Sequence, residues 1–322
     1  MIVSLANLNA SNGMFWYAID KIRTVGTTSV TVLVNPRLAP LVRKELPDVT
    51  VAETERGAAV RRIVTAKLLR RSREKVVTFT SHPLPFVPDQ TIAFYDDYPF
   101  AGRTGALKRA LFTFATRTSR CRVGIINRSL AMPFLAKCGI PAERIFFDSA
   151  FPAVDLQQTS ARTAEPGMPL RIGLVGTDSR KKNYTEIFAA TIALERTRDV
   201  RFLLYGAEND YVRELKADFP GIDLTVMPSD DVGPVAFFNG VDYLVSAARA
   251  EGYGRPMGLA AALGVPMFLL RSPVFLEFFG EHATFFDDAV ALIRHITNMR
   301  PPAVTTVPRL THAVPQRSPF FA

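Results

Sequence analysis

The sequence predicts an α/β protein made of two doubly wound domains in tandem. Short apolar runs rich in β-branched residues alternate with helical segments in both halves of the 322-residue chain, as in parallel sheets covered by helices on both faces. A polar, weakly periodic stretch with a Pro-Gly pair interrupts this alternation at residues 155–170. We therefore predict an N-terminal domain at residues 1–155, a linker at 156–170, a C-terminal domain at 171–300 and a surface tail at 301–322.

The first half contains six runs typical of buried strands. In chain order they are MIVSLANL, SVTVLVN, KVVTFTS, TIAFYD, CRVGIIN and RIFFDSA. Helices are predicted between them in SNGMFWYAIDKI, AAVRRIVTAKLLRRS, GALKRALFTFATRTS and SLAMPFLAKCG.

The second half repeats the pattern. Strands are predicted in LRIGLVG, VRFLLYG, IDLTVM, VDYLVSA and, as the last of the series, MFLL. Helices are predicted from residue 184 to about residue 197, over residues 212–218, after residue 254 and in ALIRHITNM. Open sheets of this kind bind ligands at the carboxyl ends of their strands, so two of them facing each other would form a two-substrate cleft.

Composition excludes several classes of protein. No window of 18 apolar residues predicts a membrane-spanning helix, and the first apolar run lacks the basic region of a signal peptide. Two cysteines, Cys121 and Cys138, argue against a disulfide scaffold and fit a reducing cytosol. The four histidines have no metal-ligand spacing, and the paired aspartates resemble loop charges, so we expect no metal site.

The positive charge is concentrated in the first half. Residues 1–150 contain 22 Lys and Arg against 11 Asp and Glu, whereas the remainder contains 17 against 19. Two basic helices are predicted there, at residues 57–75 and 103–122, the second with Phe112 and Phe114 among its cations. Such helices can lie on an anionic membrane, and their aromatic residues could instead stack on nucleic-acid bases. A basic solubilising face is the third interpretation, and the membrane is the one we favour.

A glycine-bearing turn follows the strand VDYLVSA. Glu251 begins it, Gly252 and Gly254 allow a ligand close to the main chain, and Pro256 suits the first turn of the next helix. Free N–H groups at that helix start favour an anion such as phosphate. The alternative is a tight strand-to-helix connection without a ligand.

A second phosphate signal follows the strand LRIGLVG. Lys181 and Lys182 come directly after the strand, and Asn183 is positioned to cap the helix that starts at residue 184. The alternative is a solvated basic turn. The sequence contains neither a P-loop GKS or GKT nor a GxGxxG after its first strand.

The second half resembles the nucleotide-sugar domain of family-4 glycosyltransferases, which have the GT-B fold. The resemblance covers residues 170–288 and depends on VGTDSRKKNY, LLYGAEND and the block from VDYLVSAARAEGYGRPMG through GVP and PVFLE to FFD. The first half matches more loosely, through its Asn12-Gly13 loop, FYDDYP, and INRS followed by GIPAERI. The resemblance implies retaining transfer of a sugar from a UDP- or GDP-sugar to a glycan or lipid-linked acceptor, with no required metal or other cofactor.

Site residues follow from the same resemblance. It places Lys182 on the donor pyrophosphate with Lys181 beside it, and Glu251 on the sugar hydroxyls. The backbone of Gly252, Tyr253 and Gly254 would approach the sugar and phosphate, Gly13 would allow close approach from the other domain, and Met227 and Pro228 would hold the edge of the nucleobase.

Two positions depart from the family. Leu259 replaces a glutamate that usually holds the ribose hydroxyls, and a leucine side chain accepts no hydrogen bond. Tyr95 replaces the histidine of a histidine-aspartate pair, so Asp96 or His82 would line the sugar site instead. A turn or capping role is the alternative for Asp96, and a plain loop position for His82.

Three functions are compatible with these residues. The first is a cytoplasmic glycosyltransferase that associates with the inner face of a membrane. The second is a non-catalytic subunit that binds a sugar nucleotide, which Leu259 and Tyr95 would favour. The third is a glycosyltransferase that acts on nucleic acid or on a protein.

Overall fold

The computed structural model contains two compact units. The first comprises Met1–Ala153 together with Ala313–Ala322, and the second comprises Val154–His312. The described residues are 1–8, 11, 13–25, 29–54, 74–81, 83–87, 89–151, 168–177, 180–194, 199–249, 251–298 and 318–321. Most of the predicted linker and the predicted basic helix at 57–75 lie outside these residues, and the predicted domain boundaries stay predictions.

The first unit is built on a seven-stranded parallel sheet. Its strands are β1 (Ile2–Leu5), β2 (Thr31–Val34), β3 (Thr50–Glu53), β4 (Val76–Thr78), β5 (Gln90–Phe94), β6 (Arg122–Ile125) and β7 (Ile145–Phe147). The helices in its described residues are α1 (Gly13–Arg23), α2 (Ala39–Glu45), α3 (Gly105–Thr118) and α4 (Ala131–Lys137). The spatial order is β3-β2-β1-β4-β5-β6-β7, so the winding direction reverses between β1 and β4.

The second unit repeats this design with six parallel strands. These are β8 (Leu170–Val175), β9 (Val200–Tyr205), β10 (Leu224–Met227), β11 (Tyr243–Ser246), β12 (Met267–Leu270) and β13 (Ala283–Phe286). The helices are α5 (Tyr184–Ala193), α6 (Asp210–Asp218), α7 (Pro234–Asn239), α8 (Arg255–Leu263), α9 (Pro273–Phe279) and α10 (Ala289–Asn298). The order β10-β9-β8-β11-β12-β13 reverses between β8 and β11.

Each sheet is buried because helices cover its apolar faces. In the first unit, Phe94 on β5 packs with its ring centre 4.9 Å from that of Phe134, which in turn lies 4.7 Å from Phe100. In the second unit, α5 and α10 pack over β8, β9 and β12 around one buried apolar cluster. Ligands of such sheets bind at the carboxyl ends of the strands, outside these packed cores.

Residues near the end of the chain complete the core of the first unit. The ring of Phe320 lies 5.0 Å from that of Phe146 and 5.2 Å from that of Phe79, and the side chain is fully buried. A methyl group on Gly124 of β6 would lie 2.3 Å from Phe320 Cζ, so only glycine leaves room for the ring. The expectation that the tail runs along the surface is therefore wrong for Ser318–Phe321.

Some short elements were not predicted. MFLL forms β12, but among the described residues the last strand is β13, which is only partly buried and therefore has no continuous apolar run. The half-exposed strand β3 was missed for the same reason, and the helix α2 buries only Ala39 and Val42.

Candidate functional site

The strongest candidate site lies where the winding of the second sheet reverses. β8 and β11 are neighbouring parallel strands, so the segments that follow them emerge at the same edge. Lys182 ends a 3-10 turn, Arg180–Lys182, after β8, and Glu251 follows β11. Ligands of doubly wound sheets bind outside the carboxyl ends of the strands at such a reversal.

Lys182 and Glu251 form an ion pair at this edge. Lys182 Nζ donates a hydrogen bond to Glu251 Oε1 at 2.8 Å, and the two side chains are only 13% and 9% exposed. An ammonium group has three donors and a carboxylate several lone pairs, so the contact leaves both groups able to engage a ligand as well. The sequence predicted both residues at the site but did not predict that they pair.

The turn after Glu251 is tightly packed. Gly254 has φ +83°, and a methyl group there would lie 2.9 Å from Phe275 Cε1 and 3.0 Å from Met257 Sδ. Residues 251–254 are all buried. A glycine is therefore required at position 254 to start α8, which has Pro256 in its first turn.

The side chain of Tyr253 points into the core. Its ring packs edge-to-face on Phe278 at 4.7 Å, and burial raises the pKa of its hydroxyl despite the nearby positive charge of Arg255. The hydroxyl has no hydrogen-bond partner in the described part of the chain. Tyr253 can thus face a ligand only through its backbone, which is the role predicted for it.

The cations of the basic turn after β8 contact different parts of the second unit. Arg180 pairs with Glu214 and lies over the ring of Tyr211, whereas Lys182 reaches Glu251. Lys181, between them, is half-buried. This arrangement places one lysine at the strand-end site and anchors the turn through α6.

The predicted capping role of Asn183 is only half right. Asn183 occupies the position before α5, but its backbone is left-handed, with φ +60°, and its side chain makes no capping hydrogen bond. Asparagine tolerates this conformation better than most residues. The helix end is held instead by Tyr184, whose hydroxyl donates to the Gly176 carbonyl at 2.8 Å.

The residues predicted for the nucleobase lie at an edge strand. Met227 ends β10, is half-buried, and its carbonyl accepts a hydrogen bond from Gly206 N at 3.1 Å. Pro228 follows and is exposed. Because β10, β9 and β8 are parallel, these residues share the edge of the sheet that carries Lys182.

Leu259 packs inside the second unit. It lies on α8 and is 7% exposed, so this position adds neither a charge nor a hydrogen-bonding group to the site. Any ribose contact in this chain has to come from another residue.

The first unit brings Gly13 and Tyr95 together. Gly13 begins α1 after β1, and a methyl group on it would lie 3.4 Å from the Tyr95 hydroxyl. Asn127 Nδ2 donates to the Tyr95 carbonyl at 3.1 Å, which holds the segment after β5. Asp96 is half-buried beside it, whereas His82 lies outside the described residues. Among the described residues, no group of three or more His, Cys, Asp or Glu side chains could hold a metal ion.

A buried polar network supports α1, and sequence reasoning missed it. Lys21 Nζ lies 2.8 Å from Asp148 Oδ2, and the Tyr17 hydroxyl donates to the same oxygen at 2.6 Å. Ser318 Oγ donates to Asp148 Oδ1 at 3.3 Å. The only sequence signal is a lysine on the apolar face of a helix, which does not reveal its distant partner.

Solved structures resemble this chain over nearly its whole length. Alr3699/HepE of Anabaena, crystallised with UDP and glucose, has a TM-score of 0.73 at 15% identity, covering 96% of this chain and 91% of its own. Sucrose-phosphate synthase from Thermosynechococcus elongatus has a TM-score of 0.67 at 13% identity, with coverages of 96% and 92%. WaaG, a glycosyltransferase involved in lipopolysaccharide biosynthesis, has a TM-score of 0.67 at 13% identity, with coverages of 92% and 90%.

The fold is GT-B. This GT-B chain matches no family model and no curated protein by sequence. At identities of 13–15%, the likeness establishes the GT-B fold and not the reaction. In the part of this GT-B chain that the structure describes, no helix combines the length and the apolar character needed to cross a membrane.

Proposed function

We propose that this chain is a glycosyltransferase that moves a sugar from a UDP- or GDP-sugar to a glycan or lipid-linked acceptor, with retention at the anomeric carbon. The observation that carries the proposal is the pair of Lys182 Nζ and Glu251 Oε1, 2.8 Å apart and nearly buried at neighbouring strand ends. A solved neighbour, HepE, was crystallised with UDP-glucose, which supports a donor of this class.

The chemistry needs a cation at the diphosphate. Negative charge develops on the leaving diphosphate as the glycosidic bond breaks, and a fixed ammonium group in a site of low dielectric stabilises that charge. Lys182 would supply this group with Lys181 beside it, so the proposed reaction requires no metal. The Glu251 carboxylate would hold Lys182 in place and accept hydrogen bonds from the sugar hydroxyls.

The remaining residues would position the substrates. The backbone of the glycine turn at residues 252–254 would contact the sugar and phosphate, and Met227 with Pro228 would hold the base. Gly13 would permit close approach in the first unit. Asp96 is the acidic group nearest in sequence to Tyr95, and it would take over contacts to the sugar that a histidine makes in the family.

Release of free nucleotide diphosphate from a panel of UDP- and GDP-sugars tests this proposal. We expect slow hydrolysis of one donor, at least about 100-fold slower in Lys182→Ala, which removes the cation at the diphosphate. Glu251→Ala should be slower as well, because it releases Lys182 and removes the acceptor for the sugar hydroxyls. Lys216→Ala is the matched control, since Lys216 is an exposed lysine of the same unit that pairs with Glu208. Unchanged hydrolysis in Lys182→Ala would contradict the proposal.

Binding without catalysis is the second candidate, and the buried Leu259 favours it. Losing one hydrogen bond to a charged group weakens binding by about 1.5–3 kcal/mol. Calorimetry separates the two functions, because a non-catalytic subunit would bind a sugar nucleotide and release no diphosphate from any donor on the panel.

A further inference from the structure

A ridge of large apolar side chains projects from the first unit. Leu107, Leu111 and Phe114 lie on one face of α3 at helical spacing and are 63%, 57% and 51% exposed. Phe86, in the turn before β5, is 51% exposed as well. These four residues, the apolar ridge, are an unusual concentration of exposed large apolar groups, which marks an interaction surface.

Phe86 is held in the ridge by a strained backbone. Its φ is +64°, a left-handed conformation that is rare for a bulky residue. Its ring packs edge-to-face on that of Phe114, with the centres 5.7 Å apart. Strain of this kind persists where the surroundings enforce it, and here it keeps an aromatic ring beside α3 at the surface.

The segment of the chain that carries α3 is strongly cationic. Residues 98–142 contain eight Lys and Arg residues and no Asp or Glu. Lys108, Arg109 and Arg117 are exposed on α3 itself, and on an ideal helix Lys108 and Arg117 flank the ridge on either side. None of these three forms an ion pair within the part of the chain that the structure describes.

We propose that the first unit docks on an anionic lipid bilayer through the apolar ridge. An apolar helix face bordered by cations inserts between the headgroups while the cations meet their phosphates. Leucine side chains cannot stack on bases, which disfavours nucleic acid. The like charges of two facing copies would repel each other, which disfavours self-association. The inference does not depend on the transfer reaction proposed above.

Co-sedimentation with vesicles tests the docking without any sugar donor. Wild-type protein is mixed with phosphatidylcholine vesicles that contain or lack phosphatidylglycerol. We expect binding only to the anionic vesicles, weakened by added salt, and at least about tenfold weaker in Leu111→Glu/Phe114→Glu and in Lys108→Glu/Arg117→Glu, which reverses the charges on both flanks of the ridge. Ile192→Glu is the matched control, because Ile192 is 56% exposed on α5 of the second unit, and it should bind like the wild type.

Several outcomes would overturn the inference. Failure of the wild type to sediment with anionic vesicles is one, and wild-type binding by the Leu111→Glu/Phe114→Glu variant is another. Binding to DNA in place of vesicles would assign the surface to nucleic acid, and a dimer that the ridge substitutions dissociate would assign it to a second copy. Circular dichroism verifies that each variant is folded, and the milder Leu107→Ser/Leu111→Ser replaces a variant that is not.

Discussion

Lys182 Nζ lies 2.8 Å from Glu251 Oε1, so residues 69 positions apart in the chain form one ion pair at the ends of neighbouring strands. The pair links the strands on both sides of the reversal in the second sheet. Each side chain therefore compensates the charge of the other when no ligand is bound.

Breaking this pair should destabilise the second unit. Lys182→Ala leaves a carboxylate nearly buried and unpaired, so we expect a loss of about 3 kcal/mol in the free energy of unfolding, the low end of the range for buried pairs. The double variant Lys182→Ala/Glu251→Ala should lose less than the sum of the single variants. Urea unfolding measures this, with Arg201→Ala of the exposed Arg201–Asp223 pair as a control expected to lose at most about 1 kcal/mol.

Gly254→Ala should be costly at the start of α8. The substitution forces a side chain into a left-handed backbone and against Phe275, so we expect a loss of about 1–3 kcal/mol. Gly221→Ala is the control, since nothing lies within 4 Å of the added methyl group and no positive φ is involved. Equal stabilities of the two variants by thermal unfolding would refute this assignment.

Gly124 and Phe320 should behave as a complementary pair. Gly124→Ala should overpack the core and lower the free energy of unfolding by about 1–3 kcal/mol. Phe320→Ala should leave a cavity and lower it by about 3–5 kcal/mol. The double variant should be more stable than the sum of the two losses predicts, because the new methyl group occupies space that the ring has vacated. Additive losses in urea unfolding would show that the ring does not pack on Gly124.

Tyr253→Phe should leave stability unchanged or raise it by about 1 kcal/mol. The substitution removes a buried hydroxyl that has no partner in the described part of the chain and keeps the ring contacts with Phe278. Donor hydrolysis should also be unaffected, because the side chain faces the core. A large loss of activity with intact stability would place the hydroxyl in the reaction.

Alkaline pH should destabilise the first unit through Cys121. Burial raises the pKa of this thiol from 9.0 to about 12, so the unfolded chain releases the proton first. The contribution of Cys121 to the free energy of unfolding is therefore fully present below pH 9. It falls by about 1.4 kcal/mol per pH unit between pH 9 and the pKa of the folded state. Cys121→Ala should flatten this slope in unfolding measured across that pH range, and a slope identical to that of the wild type would disprove the contribution.

The alternation of strands and helices predicted the fold class because most strands are buried on both faces. Partly exposed strands such as β3 and β13 have no continuous apolar run and escaped prediction. The GT-B assignment came from a resemblance in the second half, which structural comparison extends to nearly the whole chain.

Individual site positions were easier to predict than their contacts. Lys182 and Glu251 were predicted from their positions after strands and from the family resemblance. Their pairing depends on β8 lying beside β11, which strand order alone decides. The left-handed backbone of Asn183 and the partnership of Lys21 with Asp148 depend on local geometry and long-range packing, which single-sequence patterns do not encode.

The burial of Phe320 makes the first unit discontinuous along the chain. During synthesis, the sheet of the first unit lacks the Phe320 ring beside Gly124 until the whole second unit has been made. Bringing Phe320 to this sheet closes a loop that contains the whole second unit, and contacts between residues so far apart in the chain form slowly. The second unit can therefore finish folding before the first does.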